Sequence, residues 1–268
     1  MTRGKTRVRG RPARVLLAAL LSIVVAVPIG ARPAKAAIDW TQVITAAISA
    51  ISSWVNAGNT QAAIEEATRQ ILSAVNSARN DILAQIQTIT VAQTRACANH
   101  AVIEFADIER MTPDNMQRFA QDATGCAVAI ESMISALTDP ASVDQLGFAM
   151  NIVAPIALVA RARTGLTTDG LENTLRSANT QVASKIWASV RCGVPWSPDL
   201  DPELPPPRNG QIVSFYIYCD SHNGLGQAYV EVVWPNRIPD SAWEAVMTDA
   251  TRNTSRAIAV SVLPMLGG

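Results

Sequence analysis

Fifteen consecutive residues, Leu146 to Ala160, carry one strongly polar side chain, Asn151. A helix that is apolar on every side has no face to offer water, so protein or lipid must cover it. As a helix this stretch spans about 22 Å, short of the ~30 Å hydrocarbon core of a bilayer. Asp144 and Gln145 bound one end, and Arg161 and Arg163 bound the other. Pro155 removes a backbone N–H midway, and a kink is expected there. Burial at the centre of a bundle is therefore the favoured reading. Membrane insertion through Phe148, Ile152, Pro155 and Leu158 is the alternative.

The surrounding sequence supplies helices that can do the covering. From Asp39 to Ala57, Trp40, Ile44, Ala47, Ile48, Ile51 and Trp54 recur at steps of three and four, the period of an amphipathic helix. The stripe continues from Thr60 to about Arg110 through Ile64, Ile71, Val75, Ile82 and Ile86. The pattern leaves two alternatives, one helix of about fifty residues or two helices broken between Thr88 and Thr94, where Thr and β-branched residues gather. Thr112-Pro113 and Asp139-Pro140 each place an N-capping side chain before a proline at the first helical position. They predict helices from Pro113 to about Leu137 and across the apolar stretch. Another helix is expected from Asp169 to about Arg191, with Leu171, Leu175, Val182 and Ile186 on one side.

The cysteines constrain how these helices meet. Cys97, Cys126, Cys192 and Cys219 are the only four. An antiparallel helical hairpin turning at Thr112 brings residues equidistant from the turn together, and the midpoint of Cys97 and Cys126 lies on that turn. Pairing Cys97–Cys126 leaves Cys192–Cys219. Each bridge closes a loop of about 28 residues, which stabilises by roughly 3.6 kcal/mol in the chain-entropy model.

The compartment follows from the first 36 residues. A basic start, an apolar run from Val15 to Val27, the breakers Pro28 and Gly30, and the small residues of Ala34-Lys35-Ala36 form the three parts of a secretory signal peptide. Cleavage is expected after Ala36, with release outside the cell, where disulfides persist. This segment holds eight of the 22 basic residues and none of the 22 acidic ones, so the mature chain keeps fourteen bases against 22 acids, a net charge of −8. That balance excludes nucleic acid as a partner, since phosphate binding needs cations. It also gives no attraction to anionic lipid. Lys185 is the only lysine left. Abundant Ala, with Arg in place of Lys, matches the codon bias of a high-GC Gram-positive bacterium.

Beyond Gly193 the pattern changes. Six prolines between Val194 and Pro207 exclude a helix and mark an extended crossover, residues 193–210. From 211 to 268 a small α+β unit is expected. Gln211–Cys219 and Ala228–Trp234 alternate as strands, Ser221–Gly226 reads as the loop of a β-hairpin, and a helix starts at Asp240. Ile258, Val260 and Val262 also alternate, which favours a third strand over a helical end at Arg256–Leu263. The fold class is thus mainly α: a multi-helix bundle over residues 37–192 around a very apolar central helix, then a β-hairpin plus helix.

Chemistry-bearing motifs are sparse. His100, Glu104 and Asp107 share a helical face at steps of four and three, a spacing that can hold a metal or orient a base. No second cluster supplies the remaining ligands, and the expected reading is a solvated face. Asp220-Ser221-His222 contains the residue types of a hydrolase triad, but adjacent residues cannot converge as a triad must. No phosphate loop, dinucleotide fingerprint or other cofactor motif occurs. A hydrolase with an unrecognised site is a third alternative.

Aromatic residues point elsewhere. Eight of thirteen lie at or beyond Trp187. Val213, Phe215, Ile217 and Cys219 share the strand face that the disulfide turns inward, so Tyr216 and Tyr218 face the other way. With Trp234 and Trp243 they form the candidate binding surface. Aromatic side chains with one apolar and one hydrogen-bonding end suit a protein partner or a cell-wall glycan. The functional expectation is a secreted, non-enzymatic binding protein using this surface. A pore-forming-like helical protein that inserts into a membrane is the alternative.

Overall fold

The structure, a computed structural model, describes residues 40–58, 60–195, 207–233 and 236–267. The N-terminal segment expected to be a signal peptide, most of the proline-rich crossover and Trp234 lie outside the described residues. Eight α-helices and one antiparallel sheet are present among those described.

The helices begin and end where local chemistry dictates. Helix α1 (Trp40–Asn56) stops at Gly58, whose φ of +73° suits a residue without a Cβ. Thr60 caps α2 (Gln61–Gln87) by accepting the Ala63 N–H. The break falls in the Thr-rich stretch, and α3 (Ala92–Phe105) follows after Val91. The Thr90 N–H freed there is taken by Gln145 Oε1 at 3.1 Å. Thr112 and Asp139 cap α4 (Pro113–Ala136) and α5 (Pro140–Arg163), each with proline in the first turn. The Ser142 hydrogen bonds hold the Asp139 carboxyl below its ordinary pKa. Gly165, at φ +73°, closes α5 through Gly165 N–H to Ala162 O and Leu166 N–H to Arg161 O.

Helix α5 is the axis of the bundle. Every residue from Leu146 to Ala160 is buried. Around it pack α1, α2, α3, α4, α6 (Asp169–Ser189) and α8 (Ser255–Val262). Helix α5 is longer than its apolar stretch: 24 residues, enough in length and composition to cross a membrane. Length therefore does not argue against insertion; cover does, since 94% of its most apolar window is buried by protein.

Asn151 is the exception within that apolar surface, and it is fully answered. Its Nδ2 donates to Asn179 Oδ1 at 2.8 Å and to Gly147 O at 2.9 Å. Asn179 Nδ2 donates back to Asn151 Oδ1 at 3.1 Å and to Leu175 O at 3.0 Å. Both residues are essentially inaccessible, and all four amide donors are used. One α5–α6 rotation and register satisfies this pair.

Polar clamps also tie α6 to α4 and α5 to the turn after α3. Lys185 of α6 donates to the Ile134, Ser135 and Leu137 carbonyls at 2.5, 2.8 and 2.7 Å. Its ammonium thus occupies the C-terminal end of α4, where free carbonyls and the helix dipole favour a cation. Arg163 makes a two-pronged contact with Glu109 beyond the end of α3. Cys97–Cys126 links α3 to α4 and Cys192–Cys219 links the chain after α6 to the sheet, the expected pairing.

The sheet has the order β1 (Arg191–Gly193), β2 (Ile212–Ser221) and β3 (Gly224–Val233). The third strand is β1, not the C-terminal tail. The tail forms α8 instead. Thr254 accepts the Arg256 N–H to start it, and Ile258, Ala259 and Val262 enter the bundle core. Ile258 and Val262 are four apart, so strand and helix periods coincide over this short run, and the cap decides. A second apolar cluster gathers Phe215, Ile217 and Cys219 with Ile238, Val246 and Ala250, beneath α7 (Asp240–Ala250).

We expect Asn179→Ala to destabilise the fold by about 2–4 kcal/mol, because it opens a void and strands the Asn151 amide. Replacing both residues by Leu should recover most of that loss. Urea unfolding of the two variants checks this; a double variant as unstable as Asn179→Ala contradicts the assignment.

Candidate functional site

The outer face of the β-hairpin is the candidate site, and its geometry follows from the strand period. Odd-numbered residues of β2, Val213 to Cys219, face α7. Even-numbered residues face away. Pairing places Tyr216 opposite Tyr229, Ser214 opposite Glu231, Tyr218 opposite Gln227 and Ile212 opposite Val233. The Tyr216 and Tyr229 rings meet edge-to-face, with centroids 5.4 Å apart. Such contacts fix ring orientation. Ser214 donates to Glu231 Oε2 at 3.0 Å beside them.

This face is open. Among the described residues eight large apolar side chains are exposed, and five of them, Ile212, Tyr216, Leu225, Tyr229 and Val233, lie here. Tyr216 keeps 47% of its surface and Tyr229 keeps 61%. Tyr218 is half-buried beside Gly193 of β1. Trp243 does not join them. It packs partly buried in the cluster between α7 and the inner face of the sheet. Tyr229 takes its place on the outer face.

The inner face explains why α7 can lie so close. A Cβ on Gly226 would stand 2.1 Å from Val246 O, and one on Gly224 would stand 2.7 Å from Ala250 O. Both glycines are strand residues that admit the helix backbone. The hairpin turn is accordingly shorter than the expected loop, consisting of His222 and Asn223 alone.

His222 has a partner far away in sequence. Its Nε2 lies 3.0 Å from Asp144 Oδ2 on α5. The other carboxylate oxygen accepts the Ser255 N–H at 2.5 Å, at the start of α8. Both side chains are well covered, at 15% and 10% exposure. Asp144 therefore fastens the hairpin tip and α8 to the central helix, and its charge lies at the positive end of α8. Ser221 donates instead to Ala250 O at 2.7 Å, so Asp220, Ser221 and His222 form no triad.

The α3 constellation is likewise not assembled. His100 is exposed and Glu104 half-buried, while α3 ends at Phe105, before Asp107. Asp107 pairs with Arg110 at 3.3 Å. Among the described residues no group of three His, Cys, Asp or Glu is placed to hold a metal. One cleft of about 300 Å³ lies beside Trp54 and the Gly165–Asp169 loop. Another of about 350 Å³ lies between α1, Glu172, Arg176 and the C-terminal Pro264–Gly267. Each contains a single carboxylate, and neither contains a histidine, so neither offers an acid–base pair.

We expect Asp144→Ala to cost about 2–4 kcal/mol, more than His222→Ala, because it also leaves the buried Ser255 N–H unpaired. In the Asp144→Ala background, His222→Ala should have almost no further effect. A double-mutant cycle in urea at pH 7 measures this, and simple additivity contradicts the contact.

No protein-family model, no curated protein and no solved structure matches this chain.

Proposed function

We propose that this chain is an exported, non-enzymatic binding protein that meets its partner through the outer face of the β2–β3 hairpin. One observation carries the reading: most of the large apolar side chains that the described residues expose are gathered on this face. Scattered exposed apolar residues are ordinary on a soluble surface; a contiguous patch rimmed by polar groups marks a contact site. Here the tyrosine pair is the centre, polar Ser214, Glu231, Gln227 and Asp220 flank it along the strands, and Ile212, Val233 and Leu225 extend the apolar surface toward both ends. Flat aromatic rings beside hydrogen-bonding groups suit the faces of sugar rings in a cell-wall glycan, or a protein surface. The basic and apolar N-terminal 36 residues support export, with cleavage after Ala36, and two disulfides fit an extracellular setting.

A second reading, membrane insertion of α5, is favoured by the length and composition of that helix. It would require the Asn151–Asn179 pair to open and two amides to lose their partners in lipid. The Cys97–Cys126 bridge further restrains the neighbouring helices. Binding without insertion is the simpler use of the fold.

The face can be tested with insoluble cell-wall glycan and with extracellular proteins of the producing cell as bait. Replacing Tyr216 and Tyr229 together by Ala should weaken retention about tenfold or more, since buried aromatics dominate such contacts. Val260→Ala, at an exposed position on α8, should leave it unchanged. Equal retention of wild type and the double tyrosine variant contradicts the assignment.

A further inference from the structure

The edge of β3 is a second surface, distinct from the tyrosine face. Ser221 and Gly224 are strand partners across a two-residue turn, so they exchange both backbone hydrogen bonds. Alternation along the unbroken register then directs the backbone groups of Gly226, Ala228, Val230 and Val232 toward β2. Those of Leu225, Gln227, Tyr229, Glu231 and Val233 point outward. Among the described residues, the one hydrogen bond accepted there comes from Asn236 N–H to Val233 O, 2.7 Å. Of the helices, α7 is the one that packs extensively along β3, and it lies on the inner face.

Long exposed edges usually carry lysine, proline or a bulge that keeps other strands away. This edge has none of these. Its ten residues include one charge, Glu231, and no proline, and its register with β2 is continuous.

We propose that the β3 edge pairs with β3 of a second copy of this chain, antiparallel about a two-fold axis at Tyr229. A two-fold contact must be self-complementary, and this register is. It sets Tyr229 against Tyr229 of the second copy, Gln227 against Glu231, and Leu225 against Val233. It is also the axis that engages all five outward-pointing residues. An axis at Glu231 would oppose two carboxylates, and one at Gln227 would leave Glu231 and Val233 unpaired. Five residue pairs exchanging two bonds each, less the Val233 carbonyl of each copy that already accepts from Asn236, give about eight backbone hydrogen bonds, within the range of a specific interface. The joined sheet has six strands, and Tyr216, Tyr229, Tyr229 and Tyr216 run in line across its four central ones. This pairing does not depend on what binds the outer face.

The test is sedimentation of the mature, oxidised protein over a concentration series up to about 1 mM. We expect a monomer–dimer equilibrium. Tyr229→Pro deletes an N–H that points outward and leaves the β2 ladder complete, so it should fold with wild-type circular dichroism and remain monomeric. Gln227→Lys should tighten the dimer and Gln227→Glu should loosen it, each about three- to tenfold, because residue 227 faces Glu231 of the second copy. The charge pair decides the matter even if the proline variant does not fold. A wild-type chain that stays monomeric, a dimer unaffected by Tyr229→Pro, or equal responses to Gln227→Lys and Gln227→Glu would overturn the proposal.

Discussion

The reciprocal amide pair of Asn151 and Asn179 governs the arrangement of this molecule. A helix covered with apolar groups alone can turn or slide against its neighbours at small cost, since one greasy surface resembles another. Four satisfied amide donors in a dry interior remove that freedom, because any other register leaves polar groups unpaired. Asp144, Gly147 and Asn151 are spaced at i, i+3 and i+7, so they form one stripe along α5. Asn151 orients that stripe toward α6. Gly147 then meets Ser255 so closely that a Cβ would stand 2.4 Å from its hydroxyl. Asp144, one turn earlier, reaches Ser255 and His222. A single stripe of three residues thus aligns α6, α8 and the hairpin on an otherwise featureless rod.

The small sheet repeats this economy on a different period. One face is stripped to glycine where α7 crosses it, and the opposite face is loaded with tyrosine and branched aliphatics. Gly224 and Gly226 let the α7 backbone come within contact, and the Cys192–Cys219 bridge pins the short β1 to β2. His222 fastens the tip to Asp144. The tyrosine face is therefore presented by a strand pair held from its tip and its inner side; for the binding role we propose, such preorganisation lowers the cost of ordering on contact.

Much of the helical architecture was legible because its signals are local. Thr112-Pro113 and Asp139-Pro140 mark helix starts by the chemistry of capping, and the turn at Thr112 locates the Cys97–Cys126 contact. The β-branched residues after Thr88 located where a break could fall, but not whether the stretch is one helix or two; the structure has two, α2 and α3. What was not legible depends on contacts distant in sequence. Gly224 and Gly226 look like loop residues until α7 is seen lying on them. Reading them as loop hides the two-residue turn, and with it the register that sets Tyr229 opposite Tyr216. Trp243 has the composition of a binding residue, but the inner face claims it for packing. Asp144 meets His222 across 78 residues of chain. The α8 segment misleads for a different reason: Ile258 and Val262 satisfy both periods, and the deciding cap at Thr254 is a weak sequence signal.

An apolar helix held inside a protein and one waiting to enter a membrane differ in how their backbone opens. Native-state hydrogen exchange along α5, with and without lipid vesicles, measures that difference most directly. The amides from Gly147 to Ala160 that carry hydrogen bonds should exchange only through global unfolding, at equal rates in both conditions. Exchange through a smaller opening, or exchange that vesicles accelerate, would contradict a helix locked in its core by Asn151 and Asn179.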